Sequence, residues 1–286
     1  MTMLETILLS AALMLQPGPA MRFGDEPVAR NDTPPELEGV GITERLGAEV
    51  PRDRGFTDHR GRTVTLGEVL AHDRPTILTF NYSDCPMLCS LQLNGLVTTM
   101  GQMGWTLGEQ YDVVTLSIDP RETPERAAQT RDRYLEQLKE GREGLRITED
   151  AWPFLVSDAG SVKAVAEAVG FGYRLNPDNG EWLHTATLVL LSPDDTVSRY
   201  LYGVSYSPQT LRLSLAEASD GVRVSTVDQA ILYCFQYDAG SGSYTPVVAN
   251  IMRLGGGLTA LVVFAAILVA VLRRRLEDDA TATEVT

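Results

Sequence analysis

Residues 254–272 run Leu-Gly-Gly-Gly-Leu-Thr-Ala-Leu-Val-Val-Phe-Ala-Ala-Ile-Leu-Val-Ala-Val-Leu without a charge. As a helix this stretch covers about 28 Å, enough to cross the hydrocarbon core of a bilayer. The sequence therefore predicts a transmembrane helix over 251–272, and the folded part of the protein must be built from the residues before it. Arg273, Arg274 and Arg275 follow at once, and clustered arginine beside a span marks the cytoplasmic side. This makes 273–286 a cytoplasmic tail and puts the preceding domain outside the cytoplasm. An apolar run at 7–15, followed by Gln16-Pro17-Gly18-Pro19-Ala20, reads as a signal peptide over 1–20, although Glu5 stands where a positive charge is usual.

A chain of 286 residues with 44% hydrophobic content holds one substantial domain plus appendages. Its 38 acidic and 24 basic residues give a formal charge of -14, which repels phosphate backbones and excludes a nucleic-acid partner. Three cysteines are too few for a disulfide scaffold. Cys234, the odd one if Cys85 and Cys89 serve each other, reads as a small buried apolar residue near the membrane.

Residues 21–50, with Pro27, Pro34 and Pro35 among charges and glycines, form an extended lead-in. A domain over 51–220 follows, then a membrane-proximal linker over 221–250. The domain opens on a hairpin over 56–66 that turns at 58–61, then a helical turn at 67–71. A buried strand is expected at 76–81 and a helix at 85–107, interrupted by Gly95, Gly101 and Gly104. A second strand spans 112–118. Thr123-Pro124 then caps a helix that runs to about residue 140. A strand at 154–158, a helix at 161–169, a hairpin of strands 184–191 and 197–202, and a helix at 209–219 capped by Ser207-Pro208 complete the order. This alternation predicts an α/β fold, a central mixed sheet with helices on both faces.

The chemistry concentrates in Tyr82-Ser83-Asp84-Cys85-Pro86-Met87-Leu88-Cys89-Ser90 and in His184. One helical turn between the cysteines would put their Cβ atoms about 5–6 Å apart on one face, whereas an unstrained disulfide wants about 3.5–4.5 Å. The spacing thus suits two bonds to one ion at least as well as a bond between sulfurs. Two sulfurs and an imidazole select copper(I), zinc or iron over harder ions, and three ligands rather than four favour copper(I). Cys85 at a helix start would meet free N–H groups that favour its thiolate.

Three segments in this order resemble the SCO/SenC family of copper chaperones for cytochrome c oxidase assembly, within the thioredoxin superfamily. They are residues 79–89; Leu116-Ser117-Ile118-Asp119-Pro120-Arg121-Glu122-Thr123-Pro124; and His184 with Ser192-Pro193-Asp194 and Arg199-Tyr200-Leu201-Tyr202-Gly203. The resemblance spans roughly residues 50–219. It implies a thioredoxin-like fold and places Cys85, Cys89 and His184 at the family's copper-ligand positions. It also implies delivery of a copper ion to a copper-accepting oxidase subunit from the outer face of a bacterial inner membrane, on the periplasmic side. Ser90 and Leu183 depart from the family, which often has proline and aspartate there. An outer carboxylate commonly orients such an imidazole. The membrane anchor, usually N-terminal in the family, is C-terminal here.

Competing readings use the same cysteines. A thiol–disulfide oxidoreductase would attack a partner's disulfide through Cys85 or Cys89 and would not need His184. A peroxidase of the superfamily gains little from a distant histidine. Met87 reads as apolar packing or partner contact, and Asp119 as a helix-entry turn residue. His59 and His72 read as surface residues. Tyr200 and Tyr202 read as strand packing, with Arg199 solvated on the opposite face.

Overall fold

The computed structural model describes residues 38–142, 144–148, 150–219, 232, 235–238 and 243–283. The expected signal peptide, the lead-in up to residue 37 and Cys234 lie outside them. In chain order the elements are β1 (Gly41–Ile42), β2 (Gly55–Asp58), β3 (Thr63–Thr65), α1 (Leu66–Val69), β4 (Thr76–Asn81), α2 (Leu88–Gln102), β5 (Asp112–Ser117) and α3 (Pro124–Gly141). Then follow β6 (Phe154–Val156), α4 (Ala159–Ala168), β7 (Phe171–Gly172), β8 (Arg174–Leu175), β9 (Trp182–Leu183), β10 (Thr187–Leu191), β11 (Val197–Tyr202) and α5 (Pro208–Ala218). The hairpin β12 (Phe235–Asp238) and β13 (Ser243–Pro246) and the helix α6 (Val248–Thr283) close the described chain.

Seven strands form one mixed sheet in the order β11-β10-β4-β5-β6-β2-β3. β4, β5 and β6 are parallel, and β10 returns antiparallel beside β4, with Leu188 opposite Thr79. The strand order advances in one direction from β4 to β6, so crossovers of one hand set α2 and α3 on the same face. Ile77 and Val113 point into that layer with Leu93 and Leu96 of α2, Tyr134 and Leu138 of α3, and Leu211 and Leu215 of α5. The alternate residues Leu78, Phe80, Val114 and Leu116 face the other layer, closed by Val162, Val165 and Ala166 of α4. All residues of β4 and β5 are therefore buried, which is why both segments carry adjacent apolar residues rather than a strict in–out alternation. Within them the Thr79 hydroxyl is satisfied by Thr115 Oγ1, which accepts from both the Thr79 and Trp152 side chains at 2.9 Å. This is the thioredoxin-like α/β arrangement expected from the sequence.

Local signals hold at several boundaries. Thr65 and Glu68 form a reciprocal capping box on α1. Thr123 caps α3 with Pro124 at its first position, and Asp158 caps α4 through two backbone N–H groups. Two expectations at the site need correction. α2 starts at Leu88 rather than at residue 85, so Cys85 lies in the loop before the helix. His184 does not open a strand; it lies between β9 and β10.

Two further corrections concern side chains read as exposed. His59 is buried, and Arg199 is covered by the β12–β13 hairpin. The Arg199 guanidinium lies 4.2 Å from the Tyr237 ring centroid and pairs with Glu217 at 2.5 Å, while Tyr244 Oη donates to the same carboxylate. Tyr237 Oη donates to the Tyr200 carbonyl of β11 at 3.2 Å. Part of the expected 221–250 linker is thus a folded hairpin docked on the sheet edge, and only Val247 separates it from α6. Within α6, Val248–Ala270 is long and apolar enough to cross a membrane, and none of it is buried in the protein.

Candidate metal centre

Three chain segments meet at one end of the sheet: the loop 82–87 after β4, the loop 118–123 after β5, and the junction 184–186 before the antiparallel β10. This is the end of an α/β sheet where sites are built. Cys85, Cys89 and His184 converge there, with one donor atom of each lying within 4.8 Å of the others. One ion held by three bonds of about 2.0–2.3 Å, as at zinc–sulfur and zinc–nitrogen sites, needs donors about 3.5–4 Å apart, so the cluster fits with small adjustment. Such donors are soft and borderline, and no carboxylate belongs to the group.

Each donor is set by backbone chemistry. The Cys89 N–H, in the first turn of α2, donates to Cys85 Sγ at 3.2 Å. A free N–H of the helix start thus reaches the thiolate, although Cys85 itself precedes the helix. The Cys85 thiol falls to about 3, chiefly because the Cys89 thiol hydrogen-bonds it. Burial opposes this, while His184 and the N–H groups of Cys89 and Met87 assist. Cys89 is pushed up by the same pairing and by its burial. One sulfur is thereby a partly exposed thiolate and the other a buried thiol.

Cys89 Sγ lies 3.3 Å from His184 Nε2. On the other side of the ring, Nδ1 is 3.0 Å from the Thr185 carbonyl. A carbonyl accepts only, so in the neutral ring Nδ1 carries the hydrogen and Nε2 presents the lone pair toward the sulfurs. Thr185 therefore supplies the orientation that an outer carboxylate commonly gives, which explains how Leu183 can stand before the histidine. Tyr82 packs edge-on to the imidazole, with centroids 6.2 Å apart, and Phe171 flanks it at 6.2 Å.

The loop carrying Cys85 is tied down from below. Glu122 accepts from the Ser83 N–H at 3.1 Å, from the Ser83 hydroxyl, and from the Ser117 hydroxyl at 2.5 Å; Thr130 Oγ1 donates to Ser83 at 2.8 Å. Glu122 was not singled out in the sequence, nor was Thr185, whose contribution is a main-chain atom. Asp119 behaves as the expected turn residue, accepting from the Arg121 N–H and guanidinium, which hold its carboxyl below the usual range against the cost of burial. Met87 lies beside the sulfurs with 65% of its surface exposed. His59 and His72 belong to no metal-type cluster among the described residues.

The sequence profile of the SCO1/SenC family matches residues 44–218. A proposed electron-transfer protein from Aquifex aeolicus VF5 has a solved structure 25% identical in sequence. The match covers 61% of this chain and 94% of that one, with a TM-score of 0.52. Copper-bound ScoI of Arabidopsis thaliana is 20% identical over 63% of this chain and 99% of that one, TM-score 0.44. Copper-bound ScoI of Bradyrhizobium japonicum is 20% identical over 62% and 100%, TM-score 0.44. No curated protein matches the chain.

Proposed function

Because this chain belongs to the SCO1/SenC family, we propose that it is a membrane-tethered copper chaperone that holds copper(I) through Cys85, Cys89 and His184 and passes it to a copper-accepting oxidase subunit. The observation that carries this reading is the convergence of two sulfurs and an imidazole nitrogen within 4.8 Å. Copper is cargo here rather than a resident group. The partly exposed Cys85 is the side from which a partner's ligands can enter, while the buried Cys89 and His184 retain the ion until exchange. Loading takes a proton from Cys89, since the thiolate is the ligand form. In this reading α6 anchors the domain, with the arginines 273–275 on the cytoplasmic side and the metal centre outside the cytoplasm.

A second reading has its own support. A partly exposed thiolate with a buried thiol beside it is the arrangement of a disulfide reductant. Cys85 would attack a partner's disulfide, and Cys89 would then resolve the mixed disulfide, reducing the partner and leaving Cys85 and Cys89 joined. Reduced, anaerobic full-length protein in detergent micelles, titrated with copper(I) against a chromophoric chelator, separates the two. The chaperone reading expects one tightly held copper(I) per chain, lost in Cys85→Ser and Cys89→Ser and weakened in His184→Ala. Tight stoichiometric binding that survives His184→Ala would instead favour the redox role.

A further inference from the structure

Gln92 stands three residues after Cys89 on α2 and has no solvent exposure. Its Nε2 donates to the Thr187 carbonyl at 2.9 Å, and Asn81 Nδ2 donates to its Oε1 at 3.4 Å. Thr187 is the first residue of β10, three after His184; Asn81 is the last of β4, four before Cys85. One buried amide therefore joins the helix bearing Cys89, the strand leading from His184 and the strand leading to Cys85.

An amide at a fully covered position costs stability unless both its ends are bonded. An aliphatic side chain would fill the same place without that demand. Leu93 and Leu96 of α2 share an apolar core cluster with Leu188 and Leu190 of β10, and apolar burial sets no direction. A 2.9 Å hydrogen bond to a main-chain carbonyl is directional and constrains the offset of helix against strand. The quantity fixed is the approach of Cys89 to His184.

We propose that Gln92 is a positioning residue for the metal centre: its bridge from Asn81 to Thr187 sets the separation of Cys89 Sγ and His184 Nε2. The inference rests on the reading that these atoms hold copper. It adds that their spacing is set by a buried amide rather than by the ligand loops alone.

The test uses reduced full-length protein in detergent micelles. In the metal-free state, nitrogen-15 spectra of the His184 ring are compared between the parent and Gln92→Leu. The variant is expected to broaden or shift the Nδ1–H resonance. Copper(I) affinity, measured by chelator competition, is expected to fall about tenfold, the low end for outer-sphere partners. In a His184→Ala background, Gln92→Leu is expected to cause no further loss, because its effect passes through the imidazole. An unchanged His184 resonance with unchanged affinity would overturn the inference, as would an equal further loss in that background. If the parent binds no copper(I), the chaperone reading fails. The metal-free spectra then decide by themselves whether Gln92 sets the imidazole, a shift supporting it and none overturning it. Should Gln92→Leu not fold, Gln92→Asn, too short by one methylene to span both partners, takes its place with the same outcomes.

Discussion

His184 Nε2 lies 3.3 Å from Cys89 Sγ while His184 Nδ1 is held at 3.0 Å by the Thr185 carbonyl. The imidazole is thus fixed at both nitrogens, one by a potential co-ligand and one by its own chain neighbour. Cys85 Sγ accepts from the Cys89 N–H at 3.2 Å but lies partly exposed in the loop ahead of α2. The centre has a fixed side and an accessible side.

The two cysteines should differ sharply in reactivity. In reduced, metal-free protein at pH 7, limiting iodoacetamide should modify Cys85 far ahead of Cys89, since it is both the more exposed sulfur and the thiolate. Peptide mass spectrometry reads the ratio, and equal labelling of Cys89 would contradict the assignment.

Glu122 should be worth more to stability than an exposed carboxylate. Glu122→Ala removes the acceptor for the Ser83 N–H and for two hydroxyls. Leaving such donors unpaired costs about 1–3 kcal/mol. Denaturant unfolding measures the loss, and hydrogen exchange should accelerate at the Ser83 amide. A variant with parental stability and exchange would show that the loop is held by other contacts.

Two glycines of α2 should respond oppositely to alanine. A Cβ on Gly95 would stand 1.9 Å from the Val204 carbonyl oxygen, so Gly95→Ala must push α2 away from the segment after β11, at about 1–3 kcal/mol. At Gly101 the nearest atom is the Gly141 carbonyl oxygen at 3.9 Å, so Gly101→Ala should stabilise by about 0.5–1 kcal/mol through helix propensity. Unfolding midpoints that move in the same direction would refute this contrast.

His59 should make the fold acid-sensitive. Neither ring nitrogen has a hydrogen-bond partner, and burial, aided by Arg131 and Arg60 against Asp58 and Asp132, lowers the group from 6.5 to about 4. Between these values the unfolded chain binds the proton first, so stability rises with pH. The contribution is complete above about 6.5 and is lost as pH falls toward 4, with a ceiling of about 3 kcal/mol. As pH falls from 8 to 4 the parent should lose stability relative to His59→Phe, the difference between their unfolding free energies shifting against the parent by up to that amount. A difference independent of pH would sink the argument.

Much of this architecture was legible from local chemistry. β4 coincides with the expected segment at 76–81, and β5 was overrun by one residue. Strands covered on both faces carry apolar residues toward both layers, and Asp119-Pro120 ends the second one. α3 was readable because Thr123 and Pro124 announce its start. The start of α2 was not, because Pro86 suits a first helical position and Met87, the actual cap, makes no side-chain hydrogen bond that would mark the later start. His184 looked like the first residue of a strand because 187–191 continues with apolar residues, yet its ring is turned by a bond to the next carbonyl, which no side-chain pattern encodes. The three donors could be named from residue type and resemblance. The groups that hold them in place, Thr185, Glu122 and Gln92, act through long-range or main-chain bonds that carry no short-range signature. The partial covering of Arg199 was missed for a related reason, since it arrives from the distant hairpin.

That cover bears on how the protein would search for a partner. In the tethered reading proposed above, the grip of Glu217 and Tyr237 on Arg199 and the single residue Val247 between hairpin and α6 leave little free chain between the sheet and the membrane helix. A loosely leashed domain would present its thiolate in every direction and waste most collisions. In that same reading, a domain held close on its stem would keep a narrow range of heights, and productive encounters would depend on lateral diffusion and on the height of the recipient's acceptor site.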